Sequence, residues 1–234
     1  MILLRAASAL FTTLVFAGVL GWLWVSHPST PRAWNPAVPL RVSDPVTPLT
    51  GWKLSLALRR GETCIAAMDI AGVELLPPLR AEDGCGIDPR VRIARIGETA
   101  LAPVETDCRT ALRLSMWQTH AVSPAAKRLF GTGIARIEHL DSYNCRMIRT
   151  PAGEGGRLST HATAEAIDIT GFVLADGQRV SLIADWDGTG EEAAFLRAVR
   201  DGACRWFRTT LGPDYNSLHA DHFHLQSRGW GLCR

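Results

Sequence analysis

"AIDITGFVLADGQRVSLIADW", Ala166 to Trp186, is the stretch whose reading decides the fold. Two β-rich apolar runs flank "ADGQ", and Asp176-Gly177 supplies the turn chemistry of an antiparallel hairpin. The next stretch, "GTGEEAAFLRAVRDGACRWFRTTL", opens with Thr189 or Gly190 as a cap and two glutamates, then runs on as an amphipathic helix. "HADHFHLQ" closes as a last strand. Upstream, "DCRTALRLSMWQTHAVSPAAKRLFG" has helical spacing and predicts two helices broken near Pro124, and "GIARIEH" alternates as a strand. Helices first, with antiparallel strands and one helix later, indicate an α+β class, a small antiparallel sheet with flanking helices.

Before Trp52 the chain has a different character. Residues 1–26 hold a single charge, Arg5, ahead of an apolar run from Ala6 to Ser26. Those residues make a helix of about 31 Å, the thickness of a bilayer's hydrocarbon core. A signal anchor is expected, with a signal cleaved on secretion as the alternative; Arg5 on the short flank favours an exported remainder. Residues 27–50 carry six of the thirteen prolines and read as an extended spacer reaching up to about 74 Å. Residues 51–234 are then the folded domain.

From Trp52 to about Leu101, short apolar runs with Gly and Pro punctuation predict strands and loops, an accessory lobe tied by Cys64 and Cys85. All six cysteines lie in the exported part with no C-x-x-C pair, which points to disulfides; fifteen connectivities are open. A net charge of +2, with no basic run, sets nucleic acid aside as a partner.

The chemistry gathers in two clusters. His219, His222 and His224 are three of the chain's seven histidines. On a regular strand His222 and His224 share one face and Asp221 and Phe223 the other. The second cluster, "RLSTHATAEAIDITGF", sets His161 at the end of a Gly-rich loop and Asp168 inside an apolar strand, where a carboxylate is costly unless paired or bound to a cation. His161, Asp168 and one later histidine would make a two-nitrogen, one-oxygen set of the kind catalytic zinc uses. His27, His120 and His139 have no metal spacing.

Ser159-x-His161-x-x-Ala164-x-Ala166-x-Asp168 resembles the S-x-H-x-x-G-x-x-x-D signature of bacterial D-Ala-D-Ala peptidases and penicillin-insensitive murein endopeptidases, with Ala164 in place of the glycine. His219, His222 and His224 resemble the second half of that signature. More widely, "SYNCR", "GACRWF", "LGPDYNSLHADHFHL" and the terminal "CR" look like the extensin-like C-terminal domain family of Gram-negative bacteria.

The resemblance implies a hedgehog/D-Ala-D-Ala-peptidase-like zinc fold, with His161, Asp168 and His224 as Zn2+ ligands. It implies His222 beside the metal and His219 as general base, where many relatives use a carboxylate; Asp221 and Glu165 are the other bases to weigh. Arg146 would meet a substrate carboxylate or the oxyanion, and Ser159 and Tyr143 would help bind substrate. The implied activity is hydrolysis of a D-Ala-containing amide in peptidoglycan by zinc-activated water, from an inner-membrane anchor with the domain in the periplasm. A non-catalytic wall-binding or scaffold domain on the same fold is the rival.

Overall fold

The computed structural model describes residues 2–68 and 72–234. Helix α1, Ile2–Ser26, carries an apolar span, Ala9–Ser26, long enough to cross a membrane and buried nowhere against the protein. That property suits a membrane anchor or a signal sequence alike. Helices α2, Thr50–Ala57, and α3, Gly61–Met68, follow. The region expected to hold only strands and loops therefore opens helically, its burial in the helix layer overriding the local Gly and Pro punctuation.

A nine-stranded sheet forms the centre. Its strands are β1 Val73–Leu75, β2 Arg90–Ile96, β3 Thr99–Asp107, β4 Ile134–His139, β5 Ala166–Leu174, β6 Arg179–Ser181, β7 Thr209–Leu211, β8 Phe223–Gln226 and β9 Leu232–Cys233. The path runs β1-β2-β3-β4-β5-β8-β7-β9, with β6 paired to β5. The α+β class holds, but the sheet is neither small nor wholly antiparallel: β3 pairs with β4, and β7 with β9, in parallel. The chain runs α4, Cys108–Trp117, and α5, Ser123–Phe130, between β3 and β4, and this long crossover is what a parallel pair requires. The two helices are joined by a π turn, Gln118–Val122, so Pro124 begins α5 in place of breaking it.

The hairpin of β5 and β6 forms as expected, turning at Gly177, whose φ of 93° suits glycine. After three residues of β6 the chain coils into α6, Leu182–Asp185, and then α7, Glu191–Trp206, capped at Gly190. The core lies between this helical layer and one sheet face. Trp117 packs on Phe172 at 5.9 Å, Phe172 on Phe195 at 5.1 Å, and the Trp117 indole donates to the Val199 carbonyl at 2.8 Å. At Gly202 a Cβ would lie 2.4 Å from the Ala121 Cβ, so the glycine sets how closely α7 meets the π turn.

Residues 27–50 do not form an extended spacer. They fold into turns whose Leu40 and Val42 join the hydrophobic core, and Val42 N–H donates to Ala67 of α3 at 2.9 Å. Proline density restricts φ, but the apolar residues between the prolines find a surface to cover, which a solvated polyproline segment never does.

Three disulfides pair Cys64 with Cys108, Cys85 with Cys145, and Cys204 with Cys233. Cys64 and Cys85 thus tie no lobe together: one staples α3 to α4, and the other links the small hairpin of Leu79–Arg80 and Gly86–Ile87 to the segment before Arg146.

Candidate metal centre

Asp168 and His224 stand directly opposite in the antiparallel pair of β5 and β8, which brings their side chains together on one face. Which face is decided by a bulge. Strand β4 pairs with Gly171 and then with Ile169, leaving Thr170 as the extra residue. Ile167 and Ile169 before it, and Phe172 and Leu174 after it, therefore all reach the helix-side core. Without the slip Asp168 would share the face of Phe172; with it, Asp168 turns away from the helices. Phe223 and Leu225 of β8 join the same core, so His224 turns away as well.

His161 arrives from a 3-10 turn, Thr160–Thr163, that starts at Ser159, whose hydroxyl accepts the His161 N–H at 3.3 Å. The turn ends at Ala164, with φ 50° and ψ 28°. The position keeps the left-handed conformation that glycine prefers, and the buried carbonyl of Ala164 is held by Thr106 and Thr110 hydroxyls at 3.0 and 3.1 Å.

Three side chains converge. His161 Nε2 lies 3.1 Å from His224 Nδ1 and 3.2 Å from an Asp168 oxygen, and His224 Nδ1 lies 2.8 Å from the other oxygen. All three residues are at most 9% exposed. The other ring nitrogen of His161, Nδ1, sits 2.9 Å from the Ser142 carbonyl, which can only accept, so the proton is on Nδ1. Its Nε2 is then a lone pair aimed at a carboxylate, an arrangement that needs a proton or a cation between them. Tetrahedral ligands at about 2.0–2.1 Å from a metal stand about 3.3 Å apart, close to the separations here. The donor set therefore fits a divalent ion. Burial raises the Asp168 pKa, but the two imidazoles packed against it, His161 and His224, outweigh burial when a proton lies between ring and carboxylate and hold the carboxyl well below its ordinary range.

The strand expected over "HADHFHLQ" is only β8, Phe223–Gln226, and β9 follows it, so His219 and His222 both precede the strand; His219 ends a 3-10 turn, Ser217–His219. It still joins the cluster, with a ring nitrogen within 4.8 Å of nitrogens on His222 and His224. Burial, then the charges of His224 and His222, push its pKa down to about 4. Asn216 Oδ1 accepts from Leu218 N–H at 3.1 Å and from His219 Nδ1 at 2.7 Å, which leaves the lone pair on Nε2. Asp221 binds His222 Nδ1 at 2.8 Å and leaves Nε2 toward Asp168, 3.7 Å away. Thus Asp221 orients His222 from behind, and Glu165 is engaged with Thr163, Arg109 and Arg228. The sequence reading missed Asn216, Ser142 and the orienting role of Asp221; short separations from histidines signalled Asn216 and Asp221, while Ser142, 19 residues from His161, had no local signal.

Arg146 is half-buried and within electrostatic reach of Asp168; burial and then Arg149 lower its pKa, and Asp168 opposes them. Among the described residues no carboxylate lies within 4 Å of its guanidinium, whose hydrogen bond goes to the Met147 carbonyl. Tyr143 lines a separate groove with Arg92, Pro103, Glu105 and Asp141, which includes none of the histidines. His120 and His139 direct ring nitrogens at backbone carbonyls of Val42 and Ala102, in keeping with their lack of metal spacing.

A mixed sheet with a buried two-histidine, one-carboxylate cluster beside two further oriented histidines defines an α+β domain built around a candidate metal centre. Residues 62–234 match the family model for the extensin-like protein C-terminus, and the chain belongs to that family. No curated protein and no solved structure matches it.

Proposed function

We propose that the protein is a zinc-dependent peptidase that cuts a D-Ala-containing amide in peptidoglycan, as a D,D-endopeptidase on cross-bridges, from a domain anchored in the inner membrane and facing the periplasm. The observation that carries this reading is the convergence of His161, Asp168 and His224 at 2.8–3.2 Å with the remote nitrogen of His161 tied to a carbonyl, the outer-shell pattern of metal-ligating histidines. Zinc held there by His161, Asp168 and His224 would supply Lewis acidity.

The other residues have roles their bonding supports. His219 is neutral at pH 7 and offers Nε2 to accept a proton and pass it to the leaving amine. His222, with its tautomer set by Asp221, turns Nε2 toward Asp168, 3.7 Å away, from where it would stabilise the transition state. Arg146, which has no carboxylate within 4 Å among the described residues, suits a substrate carboxylate or a developing oxyanion. Ser159 positions the His161 turn.

Purified protein assayed on cross-linked muropeptide dimers tests the reading. The parent cleaves, and His219→Ala abolishes cleavage while zinc content is unchanged. A zinc-loaded parent that binds wall peptides and cleaves none of them leaves the binding or scaffold role and removes the enzyme.

A further inference from the structure

The last turn of α1, residues 32–35 and the start of α2 make one hydrogen-bonded block. Thr30 Oγ1 donates to the Trp24 carbonyl at 2.5 Å and Asn35 Nδ2 to Val25 at 3.0 Å. Lys53 Nζ reaches the Arg32 carbonyl at 2.6 Å, and Thr47 Oγ1 the Ala33 carbonyl at 3.0 Å. The block continues into the helix layer through Leu40 and Val42, and His120 of the π turn contacts the Val42 carbonyl. No free spacer separates the apolar helix from the domain.

Two tryptophans of this block are uncovered: Trp34 is 49% exposed and Trp52 47% exposed. Trp22 and Trp24 are exposed on α1 just before it. Indole has an apolar body and one polar N–H, and it concentrates at the level of lipid headgroups. These exposed indoles lie at the end of the apolar span and on the block hydrogen-bonded to it. The metal centre lies elsewhere: Asp168 and His224 face away from the core that the helices cover.

We propose that the helix-layer side of the domain rests on the bilayer that α1 spans, with Trp34 and Trp52 at headgroup level and the histidine cluster on the side turned from the membrane. The inference rests on the anchor reading of α1. It replaces a domain swinging on a long tether with one seated at fixed height and orientation, so substrate approaches from the side away from the lipid.

The test uses the full chain in vesicles of phosphatidylethanolamine and phosphatidylglycerol, with an environment-sensitive fluorophore on Trp34→Cys, Trp52→Cys or Leu218→Cys. Leu218 is exposed beside His219. Nitroxide-headgroup lipids quench the labels at 34 and 52 several-fold more than the label at 218. Oxidative footprinting of the unsubstituted chain reads the same geometry: on moving from detergent to vesicles, Trp34 and Trp52 become protected and Tyr215, packed on His219, does not. Equal quenching at all three positions, or no protection, in a chain that floats with the vesicles after an alkaline wash overturns the seated orientation alone. A chain that does not float overturns the anchor reading and this inference with it.

Discussion

Asp107 offers a test of how the ligand-bearing turn is supported. The residue is 2% exposed, caps α4 by accepting the Arg109 N–H at 2.7 Å, and gives its own N–H to the Ala164 carbonyl at 3.2 Å. Burial raises its pKa from 3.8 to about 6, against the hydrogen bond from Arg109. A folded-state pKa above the unfolded one means that its stabilising contribution is complete below about pH 4 and is lost as pH rises through 6. The shift is roughly two pKa units at about 1.4 kcal/mol each, a ceiling of about 3 kcal/mol. Asp107→Asn keeps an accepting oxygen for the cap and removes the charge. Denaturant unfolding of the full chain in detergent with chelator, from pH 4 to pH 8, is the assay. The two proteins are equally stable near pH 4, and the variant is more stable by about 2–3 kcal/mol at pH 7.5. Parallel profiles, or a variant that is less stable at pH 7.5, would refute the reasoning. Asp168 does not confuse the comparison: its depressed pKa acts with the opposite sign and is common to both proteins.

Asn216→Ala frees the Nδ1 of His219 from its acceptor; muropeptide cleavage falls by about 10–100-fold with zinc content unchanged, measured by steady-state assay and metal analysis. Gly202→Ala forces a Cβ against Ala121, and thermal unfolding shows a loss of about 1–3 kcal/mol because the π turn and α7 must separate. Replacing Cys85 and Cys145 together by Ser opens a loop of 60 residues; the chain-entropy relation gives a loss of about 4 kcal/mol in denaturant titrations, with Cys64–Cys108 still closed by thiol counting.

Much of the site was legible because its signals are local. The turn at Asp176-Gly177 and the strand in "HADHFHLQ" need only neighbouring residues; the turn stands in the structure, and the strand does so from Phe223 to Gln226. The placing of His161 near Asp168 and His224 came from a spaced motif and is matched by the register of β5 and β8. What stayed hidden depends on partners distant in the chain. The bulge at Thr170 answers to β4 and turns Asp168 away from the core, which no alternation pattern within β5 reveals. The parallel pairing of β3 and β4 depends on a helical crossover, and the docking of residues 27–50 depends on α3 and the π turn. Tyr143 lies in the segment of Ser142, yet its ring lines a different groove, since adjacent residues point apart.

The central claim is that His161, Asp168 and His224 hold one metal ion. Metal analysis of the full chain, purified, exposed to zinc and dialysed against buffer, tests it directly when set beside Asp168→Asn and His224→Ala. The account predicts about one zinc per parent chain, lost in both variants while near-ultraviolet circular dichroism shows the fold retained. A parent without zinc, or variants that keep a full equivalent, would contradict it.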